Sequence, residues 1–109
     1  MLKTILGSEN AERVLLFLFA RNEGYASEIS NLFDVNLFGI QKQLDKFESA
    51  GILVSRLAGR TRIYQFNPTY YFQPELMQLL KKAFSSYPPE MIEKLKYNRR
   101  RPRKRNKPL

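Results

Sequence analysis

Cysteine and histidine are both missing from this chain of 109 residues. Without cysteine the protein has no disulfide and no thiol chemistry, and without either residue the usual ligand sets of zinc sites cannot form. The lack of histidine also removes the commonest general base of enzymes. A metal site built from carboxylates alone stays open, but the acidic residues show no cluster that suggests one. The sequence therefore predicts no metal and no cofactor.

Long hydrophobic runs are also absent. The longest, VLLFLFA at residues 14–20, is far shorter than the roughly 18 to 20 apolar residues that span a bilayer. The first ten residues lack the layout of a signal peptide, since charged residues follow within a few positions. These features predict a cytoplasmic protein without a membrane segment. The length, with 43 % hydrophobic residues, suits one domain with a single core.

Enzyme motifs are missing as well, because the chain shows no paired carboxylates, no nucleophile arrangement and no glycine-rich phosphate loop.

Charge is distributed unevenly along the chain. Residues 1–93 contain ten lysines and arginines and all ten acids, whereas the last sixteen residues contain nine basic residues and no acid. We expect a neutral domain at 1–93 and a disordered basic tail at 94–109, in which a nucleic-acid arm is favoured over a solubility element. The tail residues proposed for this contact are Arg99, Arg100, Arg101, Arg103, Lys104 and Arg105.

The first long helix is predicted at about residues 9–21, with Ser8 as its N-cap and Gly24 ending the segment. Its interior is apolar on all sides, whereas a helix with one buried face alternates with polar residues. Two explanations remain open: the helix is central in the domain, or one side of it packs on a second subunit.

A short helix with the sequence ASEISNLF, the turn DVN and a longer helix follow in that order. Asn36 is the predicted N-cap of the longer helix, which ends near Ala50 with Gly51 as its stop. Two β-rich runs, at about 52–57 and 61–66, flank AGR and predict a hairpin with three arginines at or beside its tip. A further helix is expected from QPELMQLLKKAF, and SSYPPEMIEKLKY adds a turn at Pro88-Pro89 that can lead into a last short helix.

This order of elements resembles the winged helix-turn-helix of the ArsR/MarR-like prokaryotic transcriptional regulators. The segment that carries the resemblance is EISNLFDVNLFGIQKQLDKFESAGILVSRLAGRTRIYQFNP, and the match covers about residues 9–84. The resemblance implies a mainly α fold with a small β-hairpin wing, and a homodimer that binds double-stranded DNA. Residues 36–46 would form the recognition helix in the major groove, and residues 57–62 the wing on the backbone or minor groove. The dimer would be built from the first and last helices, through Leu15, Phe17, Phe19, Leu76 and Leu80.

Helical periodicity sorts the residues of the recognition helix. At about 100° per residue, Ile40, Leu44 and Phe47 point inward and Leu37 lies roughly 50° from them, which predicts a position at the core margin. Phe38 and two lysines point away. Lysines one turn apart suit phosphates, Gln41 could pair with an adenine edge, and Phe38 could touch a thymine methyl. Gly39 suggests close approach of the backbone to DNA. The predicted DNA-binding residues are Asn36, Phe38, Gly39, Gln41, Lys42, Lys46, Arg56, Arg60, Thr61 and Arg62.

Other interpretations compete with DNA reading. Lysines next to Asp45 and Glu48 are equally typical of a solvated face, and an exposed Phe38 equally suits a protein contact. A winged-helix protein-interaction module is one alternative function, and RNA binding through the basic tail is another. Tyr64 and Phe66 are expected in the core, whereas Tyr70, Tyr71 and Phe72 are expected between subunits or beneath the wing.

Overall fold

Six helices and a three-stranded antiparallel sheet make up the part of the chain that the computed structural model describes, residues 1–96. The helices are α1 (Lys3–Leu6), α2 (Glu9–Arg21), α3 (Ala26–Phe33), α4 (Leu37–Ser49), α5 (Gln73–Ser85) and α6 (Pro89–Lys96). The strands are β1 (Glu23–Gly24), β2 (Leu53–Ala58) and β3 (Thr61–Phe66), in the spatial order β1-β3-β2. None of the helices in this range is long and apolar enough to cross a membrane.

Helix α2 lies at the centre of the fold. It begins where predicted, because the Ser8 hydroxyl accepts a hydrogen bond of 3.0 Å from the Ala11 amide. It contacts all five other helices and also strands β1 and β3. The apolar side chains from Val14 to Leu18 are therefore covered within one chain. Burying a side chain the size of leucine or phenylalanine stabilises the fold by about 1.5–3 kcal/mol.

This position decides between the two explanations of the all-round apolar helix. Leu15 and Phe17 are 1 % and 0 % exposed, and Leu80 of α5 is 0 % exposed. These three residues cannot form the dimer contact predicted for them, since neighbouring elements of the same chain already cover them. Phe19 and Leu76 are only partly buried and remain accessible to a partner.

The helix-turn-helix consists of α3, a three-residue turn and α4. The chain reverses at Asp34, which has the left-handed φ of 55° that asparagine and aspartate tolerate better than most residues. Asn36 then caps α4, accepting a hydrogen bond of 2.7 Å from the Phe38 amide. Gly51, at φ 81°, lets the chain leave α4 for the hairpin. The predicted bounds of both helices agree with the structure to within a residue.

The hairpin pairs Leu53 with Phe66 at its base and Ala58 with Thr61 at its tip.

Strand β1 was not predicted, because a strand of two residues is too short to show alternation of apolar and polar side chains. Gly24 therefore does not simply end the first helix segment: it pairs with Tyr64 of β3 and lies against the ring of Phe17. A Cβ at Gly24 would come within 2.5 Å of that ring, so only glycine allows this close packing. Helix α1 also went unpredicted, since one turn of helix is too short to show a period.

Helix α6 extends the folded domain beyond its predicted end. The Arg21 guanidinium donates to the main-chain carbonyls of Leu95 (2.8 Å) and Lys94 (3.1 Å) and lies 4.6 Å from the centroid of the Phe17 ring. Leu95 is 1 % exposed. The boundary predicted at residue 93 therefore falls inside α6, which runs to Lys96. The tail residues predicted to bind nucleic acid lie outside the described residues.

We predict that Leu15→Ala lowers the free energy of unfolding by about 2–5 kcal/mol, because it leaves a cavity in the centre of one chain. Urea denaturation followed by circular dichroism measures the change. The decrease should be the same at low and high protein concentration. A decrease that depends on concentration would instead place Leu15 in a subunit interface.

Candidate nucleic-acid interface

Helix α4 presents four sides, and three of them are occupied within the chain. The inward side consists of Ile40, Leu44 and Phe47, which are 0 %, 0 % and 6 % exposed, as the helical period predicts. A second side faces the hairpin and a third faces the start of α2. Only the fourth side is open to solvent.

The open side carries Phe38 and Lys42. Phe38 is 74 % exposed, which agrees with its predicted direction, and Lys42 is exposed one helical turn further on. Leu37 departs from its predicted place at the core margin, since it is 49 % exposed. It is the first residue of α4, so the core begins one turn later at Ile40. Two neighbouring apolar side chains therefore stand exposed at the front of the helix.

Gly39 faces α2, whereas Lys46 is exposed and extends toward the end of α1. A Cβ at Gly39 would lie 2.6 Å from the side-chain nitrogen of Asn10, in the first turn of α2. In this structure the close approach that this glycine allows is made to α2. The Lys46 ammonium lies 5.1 Å from the centroid of the Phe47 ring and next to Gly7, at the end of α1.

Gln41 joins α4 to the hairpin. Its amide nitrogen donates to the hydroxyl of Tyr64 on β3 (3.1 Å) and to the carboxylate of Asp45 (3.0 Å). Both hydrogens of the amide are then used, since Gln has two donors on that nitrogen. Pairing with an adenine needs a donor as well as an acceptor. Gln41 can make the predicted contact only by releasing one of these partners.

Glu48 makes a second connection to the hairpin. Its carboxylate accepts a hydrogen bond of 2.5 Å from the Ser55 hydroxyl on β2, and the Arg62 guanidinium donates to the same hydroxyl at 2.9 Å. Ser55 is opposite Tyr64 in the β2–β3 register, so the two connections are adjacent. Glu48, which looked like an ordinary surface charge, therefore links α4 to the wing.

The three wing arginines differ in their surroundings. Arg56 is held across the sheet, 3.0 Å from the carboxylate of Glu23 on β1 and 3.1 Å from the side-chain oxygen of Gln65. Its charge is therefore already paired. Arg60 stands at the turn itself, after Gly59 with φ 66°, and is exposed. Thr61 is half-buried at the start of β3 and pairs with the backbone of Ala58.

Tyr64 carries most of the helix–wing connection and is 2 % exposed, which confirms its expected core position. Its burial raises the pKa of the phenol, and the nearby charges of Asp45 and Glu48 act in the same direction. The hydrogen bond from Gln41 and the charge of Arg62 oppose this rise in pKa without cancelling it. Phe66 is half-buried and packs against the core, also as expected.

The aromatic cluster of Tyr70, Tyr71 and Phe72 lies in the segment between β3 and α5. Tyr71 and Phe72 are 84 % and 54 % exposed, and their ring centroids lie 4.8 Å apart. Neither ring is covered by the wing of its own chain. Of the two places expected for this cluster, beneath the wing or between subunits, the first is therefore wrong for these two residues.

The structure thus brings part of the predicted site together. Phe38, Lys42, Lys46, Arg60 and Arg62 are exposed on α4 and the adjoining hairpin. Arg56 is also exposed but pairs with Glu23, and Gly39 and Gln41 contact other parts of the chain. Sequence reasoning missed the roles of Tyr64, Ser55 and Glu48. For Ser55 the sequence did contain a signal. Side chains alternate along a strand, so Ser55 lies on the same face of β2 as Leu53 and Leu57.

Helix-turn-helix, hairpin and flanking helices in this order define the winged-helix fold, as predicted. No family model matches the sequence, and no curated protein matches it at a significant level. Among solved structures, the chain is similar to an apo form of a mutant ZitR from Lactococcus lactis, with a TM-score of 0.54 and 16 % identity. The match covers 78 % of this chain and 73 % of ZitR. At this identity the likeness concerns the fold alone.

We predict that Tyr64→Phe destabilises the protein by about 0.5–1.5 kcal/mol at neutral pH, because it removes the hydroxyl that accepts from Gln41. The raised pKa adds a pH dependence. Above about pH 10 the unfolded chain loses the phenol proton before the folded chain does, so wild-type stability falls as pH rises. Chemical denaturation at neutral and high pH measures both effects.

The matched control is Tyr71→Phe, which removes a hydroxyl from an exposed ring. It should leave the stability and its decline at high pH unchanged, whereas Tyr64→Phe should remove part of that decline. Identical pH profiles for wild type and Tyr64→Phe would contradict the assignment.

Proposed function

We propose that this protein is a homodimeric, sequence-specific regulator of transcription that binds double-stranded DNA. In this proposal α4 enters the major groove and the hairpin contacts the backbone or the minor groove. The observation that carries it is the joint exposure of Phe38 and Lys42 on the one open side of α4, beside a hairpin that ends in Arg60. The winged-helix fold, shared with ZitR, supports the same function.

The proposed DNA contacts are of two kinds: those to phosphates, which position the protein, and those to bases, which read the sequence. Lys42, Arg60 and Arg62 suit phosphate oxygens, which fix register without carrying sequence information. Arg62 already donates to an uncharged hydroxyl, so a phosphate would give it a stronger, charge-assisted partner. Phe38 is the side chain on the open face that suits a thymine methyl. Gln41 serves instead to hold the wing against α4.

Attraction to DNA must come from these local charges and from the tail. Residues 1–93 contain equal numbers of basic and acidic residues, so the domain has no long-range positive field of its own. The nine basic residues at 94–107, with no acid among them, suit a sequence-independent contact with phosphates. In this proposal the tail adds affinity and the domain adds specificity.

Arg60→Ala combined with Arg62→Ala tests the wing contact. We expect weaker binding to duplex DNA and a salt dependence whose slope falls by about one for each phosphate that the wing no longer neutralises. Fluorescence anisotropy over a range of salt concentrations measures both. The control is Lys81→Ala, which removes an exposed charge from α5. If the double variant keeps the wild-type slope, the wing does not contact phosphate.

Dimerisation is proposed to use the start of α5. Phe72, Leu76 and Leu79 follow one another at helical spacing, and each is partly or largely exposed. With Tyr71 and Phe19 they supply the accessible apolar surface that the buried residues of α2 do not. A helix-turn-helix dimer places two recognition helices about one helical turn of DNA apart, which requires such an interface.

We predict that Phe72→Ser combined with Tyr71→Ser converts a dimer into a folded monomer, because the two rings are exposed within one chain. Analytical ultracentrifugation gives the mass, and circular dichroism checks the fold. The control is Tyr25→Ser, at an exposed aromatic residue that begins α3. A variant that remains dimeric would remove this cluster from the interface.

A protein-interaction module remains the second candidate, and the exposure of Leu37 and Phe38 at the front of α4 favours it. Large exposed apolar side chains are typical of surfaces that meet another protein.

We predict that Phe38→Ala lowers the preference for the selected DNA site over random duplex by several-fold, since the thymine methyl then has no aromatic ring against it. Competition binding measures this preference. Unchanged affinity and preference would assign Phe38 to a protein partner.

A further inference from the structure

A surface cavity of about 260 Å³ opens between α2, α3 and α6, and none of its lining residues lies on α4 or the hairpin. Its lining includes Glu12, Arg13, Leu16, Phe33, Tyr87 and Met91. Drug-sized ligands occupy pockets of roughly 300–1,000 Å³, so this cavity suits a smaller molecule. It combines apolar walls with one buried carboxylate, and the proposed function gives it no role.

Glu12 is buried, at 8 % exposed, and lines this cavity. The Tyr87 hydroxyl donates to its carboxylate, which is a neutral contact. Its positive partner is the ammonium nitrogen of Met1, 3.4 Å from each carboxylate oxygen. A carboxylate removed from water needs such a partner. The structure therefore shows a primary ammonium in contact with this carboxylate at the edge of the cavity.

The other charged groups at the cavity leave Glu12 accessible to a cation. Arg13 is directed elsewhere, since it donates to the Asn10 side chain at 2.8 Å and lies 3.9 Å from the Glu9 carboxylate. The Arg13 guanidinium and the Lys94 ammonium lie 5.9 Å and 5.7 Å from the centroid of the Phe33 ring. These cations of the chain already occupy the surroundings of the Phe33 ring, so the ring is available to the apolar part of a ligand and not to its charge.

We propose that the cavity binds a small organic cation, a primary ammonium carried on a short apolar body. The ligand's ammonium takes the place of the Met1 ammonium against Glu12, and its apolar part lies against Leu16, Phe33 and Met91. Met1 can give way because its residue is 65 % exposed. A ligand that displaces the Met1 ammonium must itself be positively charged, since Glu12 would otherwise lose its positive partner.

The test uses 2-phenylethylammonium as the probe and phenylacetate as an anion of similar shape, each titrated into the full-length protein. Chemical shifts in two-dimensional nuclear magnetic resonance spectra report where each probe binds. We expect saturable shifts around Glu12, Phe33 and Met91 with the ammonium, at millimolar or tighter affinity, and none there with phenylacetate. Equal shifts with both probes, shifts elsewhere, or none with the ammonium would overturn the proposal.

Two variants test the groups themselves. Glu12→Gln should weaken binding of the ammonium by about tenfold or more, because the ligand's charge then meets a neutral amide instead of a carboxylate. The matched control, Glu75→Gln, changes an exposed carboxylate on α5 that does not line the cavity and should leave affinity unchanged. If Glu12→Gln does not fold, Phe33→Leu takes its place and should reduce affinity several-fold, because the apolar part of the ligand loses its aromatic contact. Wild-type affinity in the folded variant would overturn the proposal, and DNA binding is not involved in either readout.

Discussion

The burial of α2 is the constraint on which the other elements depend. The apolar side chains of α2 point in all directions. The helix is therefore removed from water only when other helices and strands pack around it. Helix α4 covers one side, and this packing directs Ile40, Leu44 and Phe47 inward and Phe38 outward. The orientation of α4 is therefore a consequence of the central helix, and not of any residue on the exposed face of α4.

Polar contacts complete the site that hydrophobic packing begins. The outer half of the hairpin has little core beneath it, since Leu57 is 62 % exposed and both arginines near the tip are exposed. Its direction is set by the hydrogen bond between Gln41 and Tyr64 and by the adjacent one between Glu48 and Ser55. A hydrogen bond specifies geometry more sharply than apolar packing does, because it depends on both distance and angle. The helix and the wing can thus act as one surface.

The sequence was informative wherever a long periodic pattern or a strong local signal was present. Ser8 and Asn36 marked the starts of their helices, Gly51 marked a stop, and alternation marked the hairpin. It failed where the deciding contact joins distant residues. Nothing near Gly39 indicates Asn10, nothing near Arg21 indicates the last carbonyls of α6, and a two-residue strand has no period. The apolar surface of α2 showed that cover was needed, but not that the same chain supplies it.

The central claim is that the winged domain reads a DNA sequence and that the tail adds only affinity. Selection of bound sequences from random duplex DNA tests it directly, with the full-length protein and with a chain ending at Lys96, which keeps Leu95 in the core. We predict the same two-fold symmetric enriched site for both, with weaker binding for the shorter chain. Enrichment of no sequence by either chain, or binding that disappears with the tail, would contradict the account.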